Sequence, residues 1–142
     1  MRKVLAFAGL TLGFLTAPIY MLAQEAKIEP PKVLALLFYA DWCNSCKVLE
    51  PKLNQVKRDF QDQSVLFTRF DLTDEFTKDQ SAHYAALLGL DDVYRENAQK
   101  TGYVLLIDWP SKKVLGKITK DKSPEEIKSM LTHAQMGHPV SE

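Results

Sequence analysis

From Val33 to Ala40 the chain reads VLALLFYA, a continuous apolar run without alternation. A run of that length predicts a strand buried on both faces, as in a parallel sheet. Further on, KVLEPKLNQVKRDF places Leu49, Leu53, Val56 and Phe60 at helical spacing, and Pro51 within that pattern predicts a kinked helix. Val65 to Leu72, VLFTRFDL, reads as a second strand. Asp74 to Lys100 is polar and charged, with one apolar helical patch at Tyr84 to Leu90. Tyr103 to Asp108 reads as the third strand, WPSKK as a turn, and Val114 to Thr119 as a fourth strand antiparallel to the third. Ser123-Pro124-Glu125-Glu126 then supplies an N-cap, a first-position proline and the start of a capping box, ahead of a stripe at Ile127, Met130 and Leu131. Strand, helix, strand, helix, strand, strand, helix is an α/β order. It predicts a central mixed β-sheet flanked by helices on both faces.

The N-terminus carries a different pattern. Met1-Arg2-Lys3 is a basic head, and Val4 to Ala23 follows without a charge. Such a segment reads either as a cleaved export signal or, since about 20 apolar residues span a bilayer, as an uncleaved membrane anchor. Residues 1–23 are therefore assigned to a signal or anchor, and 24–32, QEAKIEPPK, to an extended linker. Residues 33–136 form the domain and 137–142 a C-terminal tail. Both readings of the leader put the domain outside the cytosol, with a bacterial periplasm as the natural compartment.

Composition narrows the function. At 142 residues, 46% hydrophobic and 25% charged, the chain has the balance of one globular domain. Eighteen basic residues against 18 acidic ones leave no electrostatic footprint for nucleic acid. No Gly-rich phosphate loop or nucleophile elbow is present. His83 stands in a polar stretch without a carboxylate constellation and reads as a surface residue.

The chemistry concentrates in FYADWCNSCKVLEP, which holds both cysteines of the chain, Cys43 and Cys46. Two intervening residues bring the sulfurs within bonding reach only in a tight turn, such as the first turn of a helix. There, free N–H groups and the helix dipole favour a thiolate. Cys43 is thus expected to be an exposed nucleophile, and Cys46, one turn in, a shielded resolving thiol. A static bridge is the lesser reading, because so short a loop constrains the unfolded chain very little.

FYADWCNSCK, with Pro51 five residues after Cys46, resembles the active-site segment of thioredoxin-like proteins, and the strand and helix order from Val33 to Met130 is similar too. The resemblance implies a thioredoxin-like fold and thiol–disulfide oxidoreductase activity on protein thiols or disulfides. It implies no cofactor, and a redox partner that resets the cysteine pair. It makes Asn44, Ser45 and Lys47 the active-site loop, with Lys47 turned to solvent. Trp42, Thr101 and Gly102 become the substrate-binding residues. Two positions depart from the family. Leu37 stands where thioredoxin has a buried acid, leaving water, Asp41 or another group to take the proton of Cys46. Gly102 stands where the family has a cis-proline, and a trans Thr101–Gly102 peptide is expected, since a non-proline cis bond costs about 2.5–4 kcal/mol.

Neither Asn44 nor Ser45 is cationic, so the pair is expected to act as a reductant or intermediate exchanger rather than a strong oxidant. The long connection from Asp71 to Gly102 reads either as a docking surface or as a solvated insertion. Arg69 is taken as an exposed strand residue. Two other readings of the same fold remain. Cys43 and Cys46 suit Cu(I) by softness, with Met130, His133, Met136 and His138 as further candidate ligands, although two cysteines fall short of a four-ligand zinc site. The other is a binding module without useful exchange.

Overall fold

The computed structural model describes residues 29–61 and 64–140. The segment read as signal or anchor, residues 1–23, and most of the linker lie outside the described residues. Among the described residues, no helix is long and apolar enough to cross a membrane.

The elements run β1 (Val33–Tyr39), α1 (Asn44–Lys57), a 3-10 turn (Arg58–Phe60), β2 (Val65–Asp71), α2 (Glu75–Leu88), α3 (Asp91–Asn97), β3 (Tyr103–Asp108), β4 (Val114–Thr119) and α4 (Pro124–Gln135). The sheet order is β2-β1-β3-β4. β1 pairs parallel with β2 and antiparallel with β3, and β3 pairs antiparallel with β4. The sheet is mixed, with helices on both faces.

The apolar run of β1 is explained by alternation with both faces buried. Val33, Ala35 and Leu37 join a cluster with Leu49, Leu53 and Val56 of α1 and Ile127 and Leu131 of α4. Leu34, Leu36 and Phe38 point the other way and pack with Phe70, Leu72, Ala85 and Leu90. Each such Leu or Phe contributes roughly 1.5–3 kcal/mol relative to exposure. The central strand, which ends at the cysteines, is therefore held from both sides.

Three boundaries differ from the sequence expectation. α1 starts at Asn44, with Cys43 as its N-cap, and its last turn tightens into the 3-10 segment. Pro51 lies inside α1, where it offers no N–H to the preceding turn. The single patch expected at Tyr84–Leu90 is instead the end of one helix and the approach to another. Gly89 closes α2 in the left-handed region (φ 67°), a conformation that favours glycine. Leu90 is then the N-cap of α3. Leu87, within that patch, is 85% exposed. The tail also turns back onto the domain: the Val140 N–H donates to the Leu115 carbonyl at 2.8 Å.

Candidate active site

The site forms where β1 runs out. Ala40 is buried, and its carbonyl accepts the Cys43 N–H at 3.2 Å, closing a turn that delivers Cys43 to the head of α1. This turn is fastened to the loop after β2. The Asp41 N–H donates to Thr73 Oγ1 (3.1 Å), and the Trp42 indole N–H donates to the Thr73 carbonyl (3.0 Å). Thr73 in turn donates through both its N–H (3.0 Å) and its hydroxyl (2.5 Å) to the Asp71 carboxylate. Trp42 remains 61% exposed, an apolar plate held by its one polar atom.

Cys43 caps α1 with its own sulfur, Sγ accepting the Cys46 N–H at 3.1 Å. No acidic residue occupies the first turn of α1, so the positive end of the helix dipole faces the sulfur without compensation. Burial pushes the Cys43 thiol up. Hydrogen bonds from the side chains of Cys46 and Thr101 and from the backbone N–H groups of Cys46 and Ser45 outweigh that and hold it below its ordinary value. Cys46 moves the other way. Burial, followed by the hydrogen bond to Cys43 and the Cys43 charge, pushes its thiol up to about 11. Its S–H also lies 3.7 Å from the Phe38 carbonyl. Both cysteines are free, so this is the dithiol state.

The exposure expected for Cys43 is not found. Cys43 keeps 6% of its surface and Cys46 none. The reason lies across the site, where the chain from Thr101 to Gly102 closes over the sulfurs. The Gly102 N–H donates to the Phe38 carbonyl at 2.8 Å, so one carbonyl faces both this loop and Cys46. The peptide between Thr101 and Gly102 is trans, and Gly102 has φ 89°. A Cβ at Gly102 would sit 2.5 Å from Ser45 Cβ and 3.2 Å from Cys43 Sγ. Glycine is required here twice over, by backbone angle and by space.

Asn44 and Lys47 are exposed and Ser45 is half-buried against Gly102. Leu37 is buried in the α1-side core, so no carboxylate stands at that position. Beside it a cavity of about 320 Å³ runs between Leu37, Leu53 and Phe67, with Glu50 and Arg69 also lining it. Arg69 is indeed exposed; it pairs with Glu50 at 3.4 Å and lies over the Tyr39 ring at 4.5 Å. Among the described residues, no group of three or more His, Cys, Asp and Glu could hold a metal, so His133 and His138 do not join the cysteines. Met130 packs in the core. Thr73 is the functional residue that sequence reasoning missed. Its role depends on contacts 31 and 32 residues away, which no local motif signals.

Residues 23–85 match the family model described as Thioredoxin. Protein disulfide isomerase-like 1-1 of Arabidopsis thaliana is 30% identical over 118 residues, covering 76% of this chain and 23% of that protein. Thioredoxin of Echinococcus granulosus is 38% identical over 50 residues, covering 35% of this chain and 45% of that protein. The chain thus spans less than half the length of either relative. A thiol:disulfide interchange protein of the thioredoxin family from Chlorobium tepidum TLS superposes with a TM-score of 0.50 at 19% identity, covering 73% of this chain and 80% of that one. MTB dsbF, in its mixed oxidized and reduced forms, gives 0.50 at 20% identity, covering 75% and 82%. These likenesses support a thioredoxin-like family, and the chain has the thioredoxin-like fold.

Proposed function

We propose that this chain is an extracytoplasmic thiol–disulfide oxidoreductase that reduces disulfides of partner proteins. The observation that carries the reading is the opposed pair of thiols within one helical turn: Cys43 held below its ordinary value, Cys46 pushed up to about 11. The Cys43 thiolate attacks one sulfur of a partner disulfide. A mixed disulfide forms and the other partner sulfur leaves as a thiolate. Cys46 then loses its proton to water or a nearby base and attacks Cys43 Sγ. The Cys43–Cys46 bond forms, the mixed disulfide breaks, and the partner has gained two electrons and takes up two protons. A further redox partner must return those electrons to the pair.

The direction rests on what stabilises the thiolate. Every group that lowers Cys43 is a neutral hydrogen-bond donor, with no cation among them. Strong oxidants owe their potential to a heavily stabilised reduced form. The location rests on the basic head and the uncharged run from Val4 to Ala23, which also supports anchoring to a membrane.

The test is the reduction potential of the Cys43–Cys46 couple in the full-length, metal-free chain, equilibrated in glutathione buffers. A value toward the reducing end, near that of thioredoxin at about −270 mV, is expected. A value near the DsbA figure of about −120 mV reverses the direction. Absence of a reversible couple, with tight Cu(I) binding by the dithiol, replaces exchange with metal transfer.

A further inference from the structure

The groove beside the nucleophile carries a charge that the exchange chemistry does not use. It is lined by Ser45 and Gly102 next to Cys43, and by Lys100, Lys117 and Lys120, enclosing about 360 Å³. Asp121 is the one acidic residue on its wall. None of the three lysines takes part in an ion pair among the described residues. Their positions are set by the fold. Lys117 lies on the Tyr103 ring, Nζ 4.4 Å from its centroid. The turn carrying Lys120 is pinned by the Lys52 ammonium, which donates to the carbonyls of Lys120 (2.6 Å) and Lys122 (2.9 Å). The Trp42 end of the site is mixed in charge, with Asp41, Asp71 and Asp74 near Thr73, Lys78 lining the pocket beside Trp42 and Arg69 beside Asp71. The basic excess is therefore local to the groove, in a chain of zero formal net charge.

We propose that the Lys100–Lys117–Lys120 groove selects partner proteins whose reactive cysteine is flanked by acidic residues. The proposal rests on the exchange reading and names its substrate class. Three ammonium groups outside the ion pairs of the described residues, beside the nearly closed Cys43 sulfur, raise the local concentration of an acidic segment and orient it along the groove. They repel a basic segment by the same field. The open shape suits an extended peptide passing over Gly102 rather than an enclosed small molecule. Because Lys100 and Lys120 are exposed and Lys117 is only half-buried, the selection fades as added salt shortens the Debye length, which is about 8 Å at physiological ionic strength.

The test uses the reduced full-length chain in mild detergent and three disulfide-closed peptides of equal length, with the cysteines flanked by Glu, Ser or Lys. Thiol release is followed at low and high ionic strength. The Glu peptide is expected to be reduced roughly tenfold faster than the Lys peptide at low salt, the ratio collapsing at high salt. Lys117→Gln with Lys120→Gln should remove most of the ratio, and the paired Lys→Arg variants should keep it. Since Lys117 also packs on Tyr103, Lys100→Gln on the exposed rim serves as a second variant, with a reduced ratio expected. Equal rates for the three peptides at low salt overturn the selection while leaving exchange intact. A cysteine-free Glu peptide, followed by fluorescence anisotropy, separates the remaining cases. Salt-sensitive binding without any exchange supports the groove and removes the oxidoreductase reading. Neither binding nor exchange removes both.

Discussion

At the residue scale, the two thiols differ because one faces donors and the other faces enclosure. Cys43 meets the N–H of Cys46 and the Thr101 side chain, and its folded value lies below the ordinary thiol value. Its thiolate therefore contributes stability that is present above the unfolded pKa and is lost as pH falls through the folded one. Cys46 is raised to about 11, so its contribution is fully present below the unfolded pKa and is lost as pH rises through the folded value of about 11. The dithiol form should accordingly weaken relative to the disulfide form as pH approaches about 11. Iodoacetamide trapping at graded pH should label Cys43 first, at a midpoint below that of the denatured chain. Cys46→Ala removes the side-chain donor and should move the Cys43 midpoint upward. A midpoint unmoved by that change would mean that the partner thiol is not what holds Cys43 down.

At the scale of elements, the last helix shows how a local signal and a buried stripe agree. The Ser123 hydroxyl accepts the Glu126 N–H at 3.2 Å, the Glu126 carboxylate accepts the Ser123 N–H at 2.7 Å, and Pro124 opens the helix. Ile127, Met130, Leu131 and Ala134 then pack under the sheet. Ser123→Ala should cost about 1 kcal/mol, seen as a lower urea midpoint at unchanged slope. An unchanged midpoint would mean that packing alone holds α4. This helix, β1, β3 and β4 were legible because cap residues and two-sided burial leave strong local patterns. The α2–α3 region was not. The buried face of α2 consists of Ser81 and Ala85, and Ser81 is held by Asp71, whose N–H donates to it at 2.8 Å and whose carbonyl accepts from it at 2.9 Å. Small and polar residues on a buried face give no stripe to read. The place of Cys43 at the head of a helix, with Cys46 one turn in, was likewise legible, but the exposure expected for Cys43 was not found. The closure over Cys43 was not legible, because it comes from Thr101 and Gly102, more than fifty residues away in the chain.

At the scale of the molecule, the sheet has one edge at β2 and the other at β4, and the second of these meets the C-terminal residues. Val140 donates its N–H to Leu115 at 2.8 Å and packs against the core cluster that also holds Leu131 and Ile118. Gly116 makes the approach possible. A Cβ there would lie 2.3 Å from Val140 Cγ2 and 2.7 Å from the Val140 carbonyl oxygen. Its φ is not in the left-handed region, so alanine would meet no backbone strain and only the tail would object. This gives a double-mutant cycle with a change of sign. In the full chain, Gly116→Ala should destabilise by roughly 1–3 kcal/mol through overpacking. In a chain stopped after Met136, the same substitution should be neutral or stabilise by about 0.4–1 kcal/mol, since it then acts only on the entropy of the unfolded state. Urea midpoints of the four proteins measure the coupling. Equal effects in the long and short chains would show that Val140 does not rest on β4, leaving that edge open to pairing with another chain.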